Sequence, residues 1–511
     1  MAGLVAGIDV GSSSVKCCLY DPDSAAVIGA AASPYPTHHA PGSAVEQDPR
    51  DWWTATVAAL RQAAAAGQVD LHTVSALGLS GHAPAIAVLS GAVDRVADRA
   101  PIWMDRSCQS EADTLTHQFG AAVPAITGNR VDPYFGLPKL IRLRGQGRLP
   151  AGSVVTSTTG YLVARLTGEL TMDRATAALM GAYDLTADAW SESLLRGAGL
   201  TSEMFPRVVG ATEVVGTLTP AAAAGLGLRP GAVVVGGSID AATAALGVGV
   251  VEDGQFFEMS GQSSGVGQVL ATPVADPRLV LFPHVVPGRW IAKGSSQASG
   301  AALEWWRREL CDENTGLAEL DAAAAATPPG ARGVVFLPHL AGERAPFWNS
   351  DASGAFLGLG LTSRRGDLVR AVMEGTAYGI RRVFDVFAEQ GHRPSSFVGA
   401  GGGYHSAVWS QIKADVTGRE ILVADTSQHA SAIGAALLAI VATTPGGCWP
   451  DRQPEPASVR RFVPDPARAE FYTRHAHALS LAYEQLRPVF PLLRQLTSTE
   501  QCGQREGGRE Q

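Results

Sequence analysis

Two aspartates stand where a carboxylate is costly unless it has work to do. Asp9 ends the apolar run Leu4-Val-Ala-Gly-Ile, inside Gly7-Ile-Asp-Val-Gly11. Asp240 follows Val233-Val-Val-Gly-Gly-Ser-Ile and precedes the small-residue stretch Ala241-Ala-Thr-Ala-Ala. An unpaired charge in apolar surroundings is expensive. Each acid therefore needs a partner: a cation, a reacting proton, its own turn for Asp9, or a helix N-terminus that Asp240 would cap. Two such acids fit a division of labour in which one organises Mg2+ and the other accepts a proton from a substrate hydroxyl. Three Gly/Ser turns accompany them, at Gly11–Ser14, Ser260–Gly265 and Gly401–Gly403. Successive backbone N–H groups in such turns form concave anion sites, and glycine lets phosphate oxygens approach closely. Ser12, Ser13 and Ser263 would add hydroxyls. Any one turn alone is equally a plain hairpin or loop.

The chain has only four lysines, Lys16, Lys139, Lys293 and Lys413. Phosphate chemistry must then draw on arginine, metal, hydroxyls and backbone N–H groups. No Gly-Lys-Ser/Thr follows a Gly-rich loop, and no Gly-x-Gly-x-x-Gly sits at a strand–helix turn. Walker-type and dinucleotide-binding readings are therefore disfavoured.

Alternating strand and helix signals must position these residues. Leu4–Val10, Val15–Tyr20 and Ala25–Ala32 read as a β-meander, followed by a helix over Asp51–Ala66 and strands at Val74–Leu79 and Ile86–Leu89. A second meander, Gln255–Met259 and Gly265–Leu270 around a Gly/Ser turn, repeats the first and predicts two related α/β halves joined near Leu246–Glu252. Helices are expected at Gly366–Gln390, Ser406–Val416, Ala430–Ala442 and Pro464–Gln485, with strands at Phe397–Ala400 and Ile421–Val423. The chain beyond Leu496 reads as a frayed polar tail.

Composition narrows the class. Of 511 residues, 46% are hydrophobic and 17% charged, enough for large cores and too apolar for disorder. The net charge of −8, with no basic stripe, argues against a nucleic-acid partner. The 58 glycines and 31 prolines have no fixed period, which excludes collagen. Cys17, Cys18, Cys108, Cys311, Cys448 and Cys502 form no Cys-x-x-Cys pair, so neither zinc nor a redox centre is expected. No apolar run reaches the ~18 residues of a membrane helix, and no signal peptide is recognisable. The expectation is a cytoplasmic protein without a membrane partner, with homodimerisation left open.

The motifs together resemble the FGGY family of carbohydrate kinases, which share the actin/Hsp70/hexokinase fold, over residues 4–485. The most specific stretch is Gly354-Ala-Phe-Leu-Gly-Leu-Gly-Leu-Thr-Ser-Arg-Arg-Gly-Asp-Leu-Val-Arg-Ala-Val-Met-Glu374, similar to the family's C-terminal signature. Just upstream, Pro338-His-Leu-Ala-Gly-Glu-Arg-Ala-Pro346 is similar to its Pro-x-x-x-Gly-Glu-Arg-x-Pro segment. The resemblance implies an α/β chain of two actin-like (ribonuclease H-like) ATPase domains with a cleft between them. Residues 1–247 would form the sugar-binding side, 248–490 the nucleotide side and 491–511 a polar tail. It implies ATP and Mg2+: Asp9 in the Mg–phosphate network, and Ser12, Ser13 and Lys16 near the phosphates. Gly261, Ser263 and Ser264 would form a second phosphate hairpin, where Gln262 replaces the more usual Gly-Thr. Gly401, Gly402, Gly403 and Ala435 would line the adenosine, and Asp240 would be the catalytic base.

His82, Trp103, Asp105 and Tyr134 fall on the implied sugar side, along with Asp240. Within the family the spacing is closest to xylulose kinases, yet Gly81-His82-Ala83-Pro84 stands where those carry Gln-Met-His-Gly. Each of these residues also has a plainer reading: Trp103 as core, His82 as a loop histidine, Tyr134 as part of a turn after Pro133. The implied activity is ATP-dependent phosphorylation of a ketopentose such as D-xylulose to xylulose 5-phosphate. The alternatives are another ketose, a polyol or glycerol, and, in a different class, an actin-like ATP-driven binding module or sugar sensor.

Overall fold

The computed structural model describes residues 3–40, 43–90, 95–446, 449 and 459–496. Two compact units divide the chain. Unit one comprises residues 1–253, 269–292 and 429–456, and unit two comprises 254–268, 293–428 and 457–511. A single break near residue 247 thus gives the order of the units but misses two returns of the chain to unit one.

Unit one is built on strands β1 (Leu4–Val10), β2 (Ser14–Asp21), β3 (Ala26–Pro34), β4 (Val74–Gly81), β5 (Val214–Thr217), β6 (Val233–Val235) and β7 (Ser238–Ile239). They run in the order β5-β6-β4-β1-β2-β3, with β7 also on β4. β1–β2, β2–β3 and β5–β6 are antiparallel, whereas β1–β4 and β4–β6 are parallel. β1 is buried from Val5 to Val10, which explains why its sequence is a continuous apolar run rather than an alternation.

Helix α1 (Pro49–Gly67) starts at an Asp48 cap that accepts from the Arg50 N–H, has Pro49 in its first turn, and stops at left-handed Gln68. Its inner face carries Trp52, Ala55, Ala59, Leu60 and Ala63 into the core. Burying a large apolar side chain contributes about 1.5–3 kcal/mol. Helix α2 (Asp240–Gly247) follows β7 directly.

Unit two repeats this plan. Its strands β8 (Phe256–Ser260), β9 (Ser264–Leu270), β10 (Trp290–Ser296), β11 (Ser396–Ala400), β12 (Glu420–Ala424) and β13 (Val459–Phe462) run β10-β9-β8-β11-β12-β13. β8–β9 is antiparallel, β8–β11 and β11–β12 are parallel, and β12–β13 is antiparallel. From hairpin to edge this matches β1–β2, β4, β6 and β5, so the weak sequence repeat is a strand-for-strand structural one. Helices α3 (Arg365–Glu389) and α4 (Ala407–Thr417) cover it.

Helix α5 (Ala430–Thr443) is nearly all apolar and returns to unit one, where it packs on β1, β4 and α2. The approach is close enough to demand glycine: a Cβ on Gly78 would lie 1.7 Å from the Ala435 carbonyl oxygen, and one on Gly7 1.9 Å from that of Ala432. The expected closing helix spans Ala469–Leu486 after a short 3-10 turn at Pro466–Arg468. Residues 491–496 of the expected tail are helical, with Leu492, Leu493 and Leu496 exposed; the rest of that expectation lies outside the described residues.

Candidate active site

Asp9 lies at the buried end of β1, only 4% exposed. The parallel register sets it beside Ser80 on β4 and opposite Lys16 on β2. Ser80 Oγ donates to Asp9 Oδ1 (2.8 Å) and lies 2.8 Å from Thr243 Oγ1. Thr243 Oγ1 also lies 3.0 Å from the Asp240 backbone carbonyl. Thr243 has one proton, which goes either to Ser80 Oγ or to the Asp240 backbone carbonyl, so the hydroxyls tie Asp9 to the start of α2 without reaching the Asp240 carboxyl group. Burial pushes the Asp9 carboxyl up to about 6; Lys16 opposes this, the Asp240 charge adds to it, and the Ser80 hydrogen bond opposes it again.

Asp240 is partly exposed and opens α2. It does not cap the helix: the N-cap is Ile239, without a side-chain hydrogen bond, and Asp240 Oδ1 accepts from the Ala241 N–H (2.7 Å). The carboxylate is therefore oriented by the backbone beside it. Ser431 of α5 donates to the Asp240 carbonyl (3.3 Å), fixing the helix start from its other side.

The turn after Asp9 is closed by Gly11 N–H to the Ser14 carbonyl (3.0 Å). Ser13 is exposed, and Ser12 and Lys16 are partly so. Tyr35 donates its hydroxyl to the Gly11 carbonyl, and its phenol is pushed well up by burial and by the charges of Asp9 and Asp240. Sequence reasoning missed Tyr35, because nothing local ties it to a turn more than twenty residues earlier.

The expected sugar-side residues are joined within unit one. The Trp103 indole N–H donates to Ser12 Oγ (2.8 Å), and the Tyr134 hydroxyl to the Ala83 carbonyl (3.2 Å). Lys139, fully buried, donates to the carbonyls of Asp105 (2.8 Å), Tyr134 (3.2 Å) and Pro133. Asp105 Oδ1 accepts from the Ser107 N–H (2.8 Å), and Arg106 pairs with Asp132 at 2.8 Å.

His82 is fully buried. Its Nε2 is 3.1 Å from Gln47 Oε1, its Nδ1 has no partner, and burial pushes its imidazole down to about 3. It is a neutral, enclosed ring packed edge-on against Trp52, with no exposed face to offer a sugar. Gln47, which no sequence pattern picked out beyond its place before the Asp48-Pro49 helix start, is the hub of this region.

In unit two the matching turn is closed by Gly261 N–H to the Ser263 carbonyl (2.9 Å). Gly261 is exposed and Ser263 partly so, whereas Ser264 is buried and donates to Glu258 Oε1. Lys413 of α4, fully buried, meets Glu258 (3.3 Å) and donates to Ser260 Oγ (2.6 Å). The third turn lies against this hairpin. Gly401, at φ +94°, leaves no room for a side chain, since a Cβ there would sit 2.5 Å from the Ser260 carbonyl. Gly261, Ser263, Gly401, Gly402 and Gly403 are therefore neighbours in one unit. Ala435 belongs to unit one, where it is buried against Gly78.

No group of three or more His, Cys, Asp or Glu side chains able to hold a metal is present among the described residues. What unit one supplies is a buried acid whose ionisation is opposed by desolvation more than Lys16 favours it, with a second acid adding to the opposition. Hard carboxylate oxygens in small number suit Mg2+, which keeps its waters and takes its remaining ligands from substrate phosphates. Asp9 fits that ion. Among the described residues no helix is long and apolar enough to cross a membrane.

Residues 4–247 match the N-terminal domain, and residues 259–443 the C-terminal domain, of the FGGY family of carbohydrate kinases. The chain is 32% identical over 493 residues to the xylulose kinase of Escherichia coli (strain K12), covering 94% of this chain and 99% of that one. It is 27% identical over 458 residues to the gluconokinase of Bacillus subtilis (strain 168), covering 87% and 88%. The crystal structure of xylulose kinase from Rhodospirillum rubrum superposes with a TM-score of 0.81 at 32% identity, covering 95% of this chain and 99% of that one.

Proposed function

We propose that this chain, which belongs to the FGGY family of carbohydrate kinases, transfers the γ-phosphoryl group of ATP to the terminal hydroxyl of a neutral ketopentose, D-xylulose, giving xylulose 5-phosphate. The observation that carries the chemistry is the pair of acids in unit one, with Asp9 buried, Asp240 partly exposed, and Ser80 and Thr243 between them. Asp240, oriented by the Ala241 N–H, accepts the hydroxyl proton. Asp9 would hold Mg2+ through water; the bound ion supplies charge neutralisation at the transferring phosphates. Ser12, Ser13 and Lys16, all in unit one, would position the phosphates through N–H groups, hydroxyls and one ammonium, and Gly261 and Ser263 are a candidate phosphate hairpin of unit two by itself, where the Ser264 hydroxyl is already taken by Glu258. Gly401, Gly402 and Gly403 of unit two would receive the adenosine; Ala435, enclosed against Gly78 in unit one, is left out of that site. Because the transition state of such transfers is loose, positioning and charge stabilisation account for most of the acceleration.

The likeness to a gluconokinase favours a second reading, a sugar acid as acceptor. A carboxylate substrate calls for an uncommitted cation beside it. On the sugar side Arg106 is paired with Asp132, whose charge also acts on Arg130, and Lys139 is enclosed by three carbonyls. That supports a neutral polyol chain of the ketose type, which Trp103, Asp105 and Tyr134 would meet. The test is a coupled ADP-release screen over ketopentoses, ketohexoses, polyols, glycerol and gluconate. D-xylulose is expected to give the highest kcat/KM. Faster turnover of gluconate or glycerol, or sugar-independent hydrolysis across the panel, overturns the assignment.

A further inference from the structure

The turn carrying Ser12 is held by residues from the sugar side. All four of its carbonyls accept from protein groups: Gly11 from the Tyr35 hydroxyl, Ser12 from the Gln47 amide (2.8 Å), Ser13 from the Tyr35 N–H (3.3 Å) and Ser14 from the Gly11 N–H (3.0 Å). Ser12 Oγ accepts from the Trp103 indole N–H (2.8 Å), which leaves its own O–H free to donate to a phosphate oxygen.

Gln47 is fully buried and uses both ends of its amide. Nε2 donates to the Ser12 carbonyl and to Thr37 Oγ1, each at 2.8 Å. Oε1 accepts from Trp52 Nε1 (3.0 Å) and meets His82 Nε2 (3.1 Å). A flipped amide would set its N–H against the indole N–H of Trp52, so the orientation is fixed. With Oε1 only able to accept, the His82 proton must be on Nε2.

We propose that Gln47 and the indole N–H of Trp103 are positioning residues for phosphoryl transfer, setting the Ser12 turn from the sugar side. Trp103 then has two separable parts, a ring face for the sugar and an N–H for the phosphate turn. This rests on the kinase reading above and adds to it a route by which sugar contacts and phosphate contacts share one side chain.

The test is a double-mutant cycle of Trp103→Phe and Ser12→Ala, read by Mg–ATP binding in titration calorimetry and by steady-state kinetics, with Gln47→Glu alongside. Losing one hydrogen bond of this kind corresponds to about threefold to tenfold. Trp103→Phe is expected to weaken Mg–ATP binding by that factor, Ser12→Ala by more because it also loses the hydroxyl offered to phosphate, and the double variant by no more than Ser12→Ala alone, because Trp103→Phe then has no bond left to remove. The sugar KM should rise with Trp103→Phe whether residue 12 is serine or alanine. Gln47→Glu keeps the acceptor for Trp52 and His82 but turns a second oxygen toward the Ser12 carbonyl. It should raise the ATP KM more than the sugar KM, without the matched rise in both that general loosening would give.

Additive effects on Mg–ATP binding, or a Trp103→Phe effect confined to the sugar KM, overturn the proposal. Should Gln47→Glu fail to fold, the Trp103/Ser12 cycle decides alone. If no sugar in the panel is phosphorylated, the kinase reading fails, while the binding cycle still decides whether the turn is set from Trp103.

Discussion

Replacing Asp9 by asparagine should stabilise the ligand-free protein while abolishing its activity. The Asp9 carboxyl is pushed up from 3.8 to about 6, chiefly by desolvation, with the Asp240 charge adding to it. The folded chain therefore holds this proton more tightly than the unfolded chain does. Its stabilising contribution is full below pH 3.8 and is lost as pH rises through about 6. At about 1.36 kcal/mol per pH unit, the wild-type chain forgoes roughly 3 kcal/mol at neutral pH. Asparagine has no charge to desolvate and keeps an oxygen acceptor for Ser80. The variant-minus-wild-type stability difference should thus climb by about 3 kcal/mol between pH 4 and pH 7 and then level off. Urea unfolding of both chains at half-unit pH steps reads this directly. Every other titrating group is common to both, so the slope of the difference reports residue 9 together with the groups its charge acts on, Lys16 and Asp240 first. Adding Mg–ATP should then stabilise the wild type more than the variant, narrowing the gap. A difference that stays flat with pH, or that falls as pH rises, refutes the reasoning, because it would mean the acid is not held against its own ionisation.

Asp240→Asn should lose at least about 10²-fold in kcat while Mg–ATP still binds, since a positioned base is worth about 10²–10⁴-fold; near-normal turnover in a coupled assay counts against the base assignment. Lys413→Met leaves Glu258 buried without its counter-ion and should cost about 3–5 kcal/mol in urea unfolding, with Lys413→Met/Glu258→Gln regaining most of it. An unrecovered double variant would mean that packing, not charge, is what Lys413 supplies. Gly78→Ala forces a methyl against the Ala435 carbonyl and should lower stability by about 1–3 kcal/mol or more. Gly225→Ala, where nothing lies within 4 Å, should be neutral or slightly stabilising in the same melt.

The elements legible in the sequence are those that carry their own signal. β1, β2, β8 and β9 stand out as apolar or β-branched runs broken by Gly/Ser turns, and the structure places each within a residue or two of expectation. What escaped is non-local. α5 has no polar face, so its composition says "buried" without saying in which unit. Asp240 looks like a cap because an acid before an Ala-rich helix usually is one; here Ile239 takes that place. Gln47 reads as an ordinary residue ahead of a helix start, and its four partners come from four separate stretches of chain. Lys413 would be expected at a solvated helix position, and only the fold reveals Glu258 opposite it.

The two hairpins are copies in topology and opposites in charge. Closing each turn at its first glycine aligns Gly11 with Gly261, and the strand registers then align Asp9 with Met259 and Lys16 with Gly265. The second copy thus has neither the acid nor the ammonium at those positions. Its acid, Glu258, sits one residue further back, and strand alternation sends it to the opposite face, where it is buried against Lys413 of α4. With Glu258 held by Lys413, the second hairpin presents backbone N–H groups and hydroxyls, with the Lys293 side chain of β10 beside Gly265. A hairpin whose acid is buried, with its ionisation opposed by desolvation and by the charge of a second acid, is set up to take a cation. The duplication therefore divides the work. On the proposed reading, the acid chemistry would belong to the first hairpin, in the same unit as Asp240, and the second would present no unpaired carboxylate of its own to a phosphate.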